Sequence, residues 1–186
     1  LKLISRGKSA HAARPWLGAN AIENLIADYH LLETYFATST PDHWHRTLNF
    51  SRIHAGTSIN QVPDYAEAIF DIRYTEKDLM EELVEKIQNN IQGDLIVEKN
   101  EPLFVGGESP YLDLLLNLSK GTCVGFEHGA SDARFLSQYG MKGIVWGADG
   151  EMSQHTSNEH VIIESIGRLY NLLDQFMGRV SDISSH

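Results

Sequence analysis

The stretch from Tyr65 to Tyr74 alternates with a period of two: Ala66, Ala68, Phe70, Ile72 and Tyr74 fall on one face, and Glu67, Asp71 and Arg73 on the other. This is the pattern of a strand whose sheet is covered on one side only, and sheets of that kind are antiparallel. The surrounding residues must then supply both neighbouring strands and an apolar layer for the covered face. Leu1 to Arg6 and Thr47 to Ile53 alternate in the same way, and Leu95-Ile96-Val97 reads as a last strand. Two stretches of helical period lie between them. From Ala19 onward Ile22, Leu25, Ile26, Tyr29, Leu32 and Phe36 share a face, until the Thr-Ser-Thr-Pro run ending in Pro41 breaks the helix. Thr75 and Asp78 resemble a capping box, after which Leu79, Leu83, Ile87 and Ile91 line a second helix that Gly93 stops.

The order strand, helix, strand, strand, helix, strand predicts a ferredoxin-like α+β sandwich (βαββαβ), with one open sheet edge that a second copy could pair. Because the chain opens inside a strand pattern on Leu1, without methionine, further residues are expected before it. After about Glu101 the rhythm changes. A Gly-Gly-Glu-Ser-Pro loop leads to a helix from Tyr111 to Lys120, a short strand, and a polar loop from Glu127 to Ser131. A helix from Asp132 to Tyr139, a buried strand from Gly143 to Gly147 and a second polar loop from Ala148 to Glu159 come next. A final helix is expected to bury Ile163, Ile166, Leu169, Tyr170, Leu173 and Phe176. Strands alternating with helices predict a parallel sheet, and loops that follow such strands are where open α/β sheets place their active sites.

Composition excludes several classes. Acidic residues outnumber basic ones 25 to 15 and the basic ones are scattered, so no stripe could neutralise a nucleic-acid backbone. No apolar run reaches the roughly 18 residues of a membrane span, and no leader pattern is present. The single cysteine, Cys123, sits in the apolar run Thr122 to Phe126 and reads as a buried, inert thiol. A reducing, cytoplasmic location is expected.

Position sorts the nine histidines. His30, His43, His45, His54 and His186 read as solvated. His11 sits among small residues in Gly7-Lys8-Ser9-Ala10-His11-Ala12-Ala13-Arg14-Pro15, where the imidazole has little local packing and could meet a ligand. Asn60, between Gly56 and Pro63, is either a turn residue or an amide offered to a substrate. Arg73 beside Asp71 is either half of an ion pair or a carboxylate fork. His155, in an acidic loop, suits a zinc ligand, but one ligand is not a site; Glu127, His128 and Asp132 could join it, although Asp132 equally suits a helix start.

Four segments in order resemble the aminoacylase and peptidase family that includes succinyl-diaminopimelate desuccinylase, acetylornithine deacetylase and carboxypeptidase G. They are Gly7 to Pro15 with Gly18-Ala19-Asn20-Ala21-Ile22, Asn60-Gln61-Val62-Pro63 with Asp71-Ile72-Arg73, Gly129-Ala130-Ser131-Asp132-Ala133-Arg134-Phe135, and His155-Thr156-Ser157-Asn158-Glu159. The resemblance implies a ferredoxin-like lid over residues 1–101, followed over residues 102–186 by the C-terminal part of an α/β zinc-hydrolase catalytic domain. It implies a homodimer joined through the lids and two zinc ions per active site, with cobalt or another divalent metal as substitute. It assigns His11 to the oxyanion in the partner's site, Asn60 and Arg73 to the substrate's carbonyl and carboxylate, Gly129 and Ala130 to the pocket wall, and His155 to a zinc. The family's His-x-Asp motif, bridging aspartate and Glu-Glu pair lie upstream of its lid and have no counterpart here. The implied function is part of an amidohydrolase cleaving N-acyl amino acids or small peptides, inactive as this chain alone. The alternative is a non-catalytic dimerisation or small-ligand-binding module.

Overall fold

The computed structural model describes residues 1–104, 106–129 and 131–183, so Ala130 and His186 lie outside the described residues. The chain divides into two compact units, Leu1–Glu101 and Pro102–His186. In chain order the first contains β1 (Lys2–Arg6), β2 (Ala10–His11), a 3-10 turn (Pro15–Leu17), α1 (Ala21–Thr34), β3 (Thr47–Ala55), β4 (Gln61–Val62), β5 (Tyr65–Arg73), α2 (Met80–Gln88) and β6 (Asp94–Ile96).

Four strands form one antiparallel sheet in the order β3-β5-β1-β6. The alternation of β5 decides its faces: Ala66, Ala68 and Phe70 are buried with Leu3 of β1, Leu25 and Leu32 of α1, and Leu83 and Ile87 of α2. Each leucine fully removed from water there stabilises the unit by about 1.5–3 kcal/mol. Tyr29, Phe50 and Phe70 add a ring cluster with centroids 4.8–5.9 Å apart. On the open face Glu67 accepts from Lys2 at 2.6 Å and from the Tyr65 hydroxyl at 2.5 Å, and these two bonds, Lys2 first, hold its carboxyl below the usual range. The register of β3 on β5 shifts between Phe50 and Arg52, a bulge that leaves Ser51 as the extra residue.

Asn20 starts α1, its Oδ1 accepting from the N–H groups of Ile22 (3.0 Å) and Glu23 (3.5 Å). The buried stripe runs through Ala21, Leu25, Asp28 and Leu32, rotated from the expected one, so that Ile26 faces outward. Asp28 is an acid only 2% exposed. Its two oxygens accept from the N–H groups of Gln92 (2.9 Å) and Gly93 (2.8 Å), which closes the turn between α2 and β6. Gly93 is required there, because a Cβ would lie 2.5 Å from the Ile4 carbonyl oxygen and 3.0 Å from Asp28 Oδ2. Asp28→Ala strands two buried donors and should destabilise the first unit by about 3 kcal/mol, read from the midpoint of urea unfolding. An unchanged midpoint would mean that water replaces the carboxylate.

The second unit contains α3 (Pro110–Leu118), α4 (Arg134–Ser137) and α5 (Ile163–Ile183). Ser109 Oγ accepts from Leu112 N–H at 3.2 Å and Pro110 opens α3, a start that needs no donor from proline. The expected parallel sheet is not found: no strand occurs among this unit's described residues, and Gly143 to Gly147 is irregular backbone. An apolar run becomes a strand only when a neighbour pairs its N–H and C=O groups. The same cause corrects Cys123, which is exposed, as are Val124, Phe126 and Val145. The final helix also differs. It turns Ser165, Leu169, Leu172 and Phe176 inward, while Ile163 (77%) and Tyr170 (71%) are exposed together with Ile166 and Leu173. α5 is apolar on more than one face, and packing rather than period chose the buried one. No helix among the described residues is long and apolar enough to cross a membrane.

Candidate functional site

The loop from Gly7 to Gly18 and the loop from Gly56 to Pro63 are joined in a small ribbon. β2 pairs antiparallel with β4, Ala10 facing Val62 and His11 facing Gln61. Ala12 N–H donates to the Asn60 carbonyl at 2.9 Å, Lys8 and Ala19 exchange bonds of 2.8 and 2.9 Å, and Gly7 N–H donates to the Asp64 carbonyl at 2.8 Å. Buried Val62 roots the ribbon. Gly7 permits the junction, since a Cβ would come within 2.1 Å of the Ala19 carbonyl oxygen. The segments of His11 and Asn60, forty-nine positions apart in the sequence, are thereby brought together.

Local bonding orients both side chains chemically. His11 Nδ1 accepts from the Ala13 N–H at 3.0 Å, so in the neutral imidazole the proton resides on Nε2, which is a donor. Asn60 Oδ1 accepts from the Ser58 hydroxyl at 2.5 Å, leaving its Nδ2 hydrogens available. The exposed ribbon thus carries an N–H donor on each of these two side chains. The nearby cavity between Ser58, Gln61 and Tyr65 is about 50 Å³. That volume holds no more than a few waters, so the ribbon is one wall of a site and encloses no ligand by itself.

Arg73 stands apart. β5 carries it eight residues beyond Tyr65, about 27 Å at the usual strand rise, and its guanidinium is bidentate on Asp71, with Nε at 2.8 Å from Oδ1 and a terminal nitrogen at 2.9 Å from Oδ2. In the second unit, Gly129 is exposed, and a Cβ placed on it would meet nothing within 4 Å.

His155 adopts a left-handed backbone, φ 62°, in a loop where Glu151 and Met152 do the same. Such conformations cost non-glycine residues energy and persist where surrounding bonds impose them. Here Ser153 Oγ accepts from His160 N–H (3.1 Å) and donates to the His160 carbonyl (3.2 Å), Glu159 accepts from His155 N–H (3.3 Å), and Ile162 N–H donates to the Asp149 carbonyl (2.8 Å). The Asn158 carbonyl beside His160 Nδ1, opposed by some desolvation and aided by Glu151, raises the pKa of His160 above its ordinary value. The cluster of Glu127, His128 and Asp132 with His155 is not assembled: among the described residues no three His, Cys, Asp or Glu side chains gather to hold a metal ion. Asp132 instead faces Arg134 at 3.2 Å, and Ser131 Oγ, accepting from Ala133 N–H, takes the turn before α4.

The two-residue strands of the ribbon escaped the sequence reading, as did Ser58. Four bonded residues have no measurable period, and the only signal was the presence of two loops punctuated by Gly and Pro.

Residues 1–96 match the family described as the peptidase dimerisation domain of the M20 type. The chain is 28% identical over 195 aligned residues to a succinyl-diaminopimelate desuccinylase of Helicobacter pylori, an alignment covering 98% of this chain and 50% of that protein. It is 26% identical over 197 residues to the protein of the same name from Ehrlichia canis, covering 98% and 51%. The chain thus spans about half the length of the curated relatives it matches. Among solved structures, a tripeptidase of Staphylococcus aureus aligns with TM-score 0.71 and 22% identity over 94% of this chain and 50% of its own. An M20 family metallo-carboxypeptidase of Sulfolobus solfataricus aligns with TM-score 0.68 and 17% identity over 94% and 56%. At these identities the likeness is one of fold.

Proposed function

Because the chain belongs to the M20 aminoacylase and peptidase family, whose dimerisation domain occupies its first 96 residues, we propose that it is the C-terminal half of a metal-dependent amidohydrolase acting on N-acyl amino acids or small peptides. The first unit is the lid, and its sheet order and two covering helices support the ferredoxin-like arrangement. The second unit contributes to the catalytic domain. One observation carries the reading. The Ala13 N–H on His11 Nδ1 makes Nε2 a donor, on an exposed ribbon that also carries the amide of Asn60. A donor pair of that kind stabilises the oxyanion of a tetrahedral intermediate.

The remaining roles follow the family resemblance. His155 is one ligand of a pair of zinc ions, for which cobalt could substitute. Gly129 and Ala130 line the substrate pocket. Arg73 binds a substrate carboxylate, for which its bond to Asp71 would have to be shared or exchanged. The described residues do not themselves form a centre for zinc, so the other ligands and the base that activates water would be supplied by residues outside this chain. That same observation favours the second reading, a non-catalytic dimerisation or small-ligand-binding module. Assay of the full-length product of the open reading frame, with zinc, on N-succinyl and N-acetyl amino acids separates the two: metal-dependent release of the amine supports the hydrolase, and no release from any such amide supports the module.

The lid is also the proposed route to a homodimer. β3, nine residues long, pairs only with β5, so its outer edge is open, while β6 exposes an edge of only three. An isologous contact along β3 would satisfy its unpaired backbone groups. Sedimentation equilibrium should give twice the chain mass, and a folded species that stays monomeric at high concentration would remove the lid as the interface.

A further inference from the structure

We propose that the first unit carries a binding site for a free amino acid with a small side chain, in the gap between β1 and the turn that precedes β6. The site stands apart from the ribbon and does not depend on the reading of His11 and Asn60. The gap has a cause in the hydrogen bonding. β6 pairs with β1 only from Lys2 to Ile4, so Ser5 and Arg6 run past its start at Asp94. The same register would next set Gln92 opposite Arg6, but the N–H groups of Gln92 and Gly93 donate to the buried carboxylate of Asp28, at 2.9 and 2.8 Å. The two strands therefore part, leaving a cavity of about 200 Å³ lined by Ser5, Arg6, Asn24, Gln92 and Asp94. At ~30 Å³ per water it has room for about six waters, or for one small amino acid.

The walls of this cavity are short of partners. Ser5 is only 2% exposed, yet its hydroxyl makes no hydrogen bond to protein among the described residues. A hydroxyl so buried is costly to leave unmet, so its partner must come from within the cavity. The side-chain amide of Gln92 is likewise unbonded among the described residues, and that of Asn24 reaches only the Arg6 carbonyl, at 3.5 Å. Arg6 and Asp94 face each other at 3.8 Å, against 2.6–3.0 Å for Lys2–Glu67, Arg46–Asp78 and Arg73–Asp71 in the same unit. Committed ion pairs close to about 2.7–2.9 Å, so Arg6 and Asp94 each keep bonding capacity for a third group. The Arg6 guanidinium also lies 5.9 Å from the centre of the Tyr65 ring, a contact that uses none of its N–H groups. This combination selects a zwitterion. A carboxylate takes the Arg6 fork, while an ammonium group, with three donors and no acceptor, suits Asp94 and the side-chain oxygens of Ser5, Asn24 and Gln92. Opposite charges side by side on the wall thus complement the two charged groups of one α-amino acid, and the volume admits only a small side chain.

The test is a titration of the isotope-labelled 186-residue chain with L-alanine, followed in its backbone amide spectrum. The amides of Ser5, Arg6, Asn24, Gln92 and Gly93 should shift and saturate with a Kd of about 1 mM or below, and the urea midpoint of the first unit should rise as the ligand is added. Acetate and ethylamine, which each carry one of the two charged groups, should bind at least about tenfold more weakly. Arg6→Gln and Asp94→Asn should each weaken L-alanine by about tenfold to a hundredfold, the worth of a hydrogen-bonded charge. Both side chains are mostly exposed, so the rest of the spectrum should stay unchanged and show that the fold is kept. Ser5→Ala should weaken binding as well, and if that buried substitution unfolds the unit the two exposed variants still decide. Arg52→Gln, on β3 and separated from the gap by β5, is the control for loss of a positive charge and should leave binding within about twofold. Three results would overturn the proposal: no saturable shift with L-alanine, which would mean a cavity filled by water alone; equal binding of acetate, which would mean an unspecific anion contact; or binding that survives both Arg6→Gln and Asp94→Asn.

Discussion

Replacing His11 with alanine in the full-length hydrolase should lower kcat by about a hundredfold or more while KM changes little. A donor aimed at the oxyanion acts when charge has moved onto oxygen, so its loss is felt in the transition state and not in substrate binding. The Ala13 N–H on His11 Nδ1 gives this expectation its chemistry: with Nδ1 accepting, Nε2 is protonated in the neutral ring and donates without any prior change of charge. His11→Gln, whose amide can still donate, should lose less than His11→Ala. The fold should survive both, since His11 is exposed and β2 is tied to β4 by backbone bonds. Steady-state kinetics on a single N-acyl amino acid decide the matter. A kcat for His11→Ala within a fewfold of wild type would end the oxyanion assignment.

The 186-residue chain by itself should show no hydrolase turnover and should lose zinc on dialysis. Catalytic zinc normally takes about three protein ligands with one position left open, and a two-zinc site takes more, including a bridging carboxylate. The carboxylate of Glu159 accepts from the His155 backbone N–H at 3.3 Å. Asp132 is turned to Arg134 and Glu151 to His160. No group of three potential ligands gathers among the described residues. Recruiting these side chains would break bonds that hold a loop with three left-handed non-glycine residues, at Glu151, Met152 and His155. The check is to load the purified chain with zinc, dialyse it against metal-free buffer, measure metal per chain, and assay N-succinyl and N-acetyl amino acids. Stoichiometric zinc retained together with steady turnover would show a self-sufficient site and refute the division of the active site proposed above.

The first unit was largely legible in its sequence. The period-two stretch of β5 named the residues that are buried, and α1 and α2 lie where their helical periods placed them, with ends shifted by a few residues. Its misreadings came from long-range bonds. Asp28, an acid with no apolar signal of its own, is buried because the N–H groups of Gln92 and Gly93 donate to it from the turn before β6. The second unit was less legible, because an apolar run such as Gly143 to Gly147 has no period that distinguishes a paired strand from unpaired backbone. For the site, the small-residue context of His11 was visible, but not its tautomer, nor its pairing with Gln61 and the bond from Ala12 to Asn60.

By itself, then, the sequence determined which face of β5 turns inward, where two helices cover it, and which loops concentrate histidine, asparagine and arginine. Alternation and helical spacing are local properties, and burying apolar surface rewards them wherever the chain finally goes. Only the tertiary structure decided that β2 pairs with β4, that Arg73 is held by Asp71, and that α5 leaves Ile163 and Tyr170 exposed. Each of those outcomes is a choice among partners of similar local chemistry. Hydrogen-bond geometry and packing make such choices only once distant segments meet, so they leave no periodic trace along the chain.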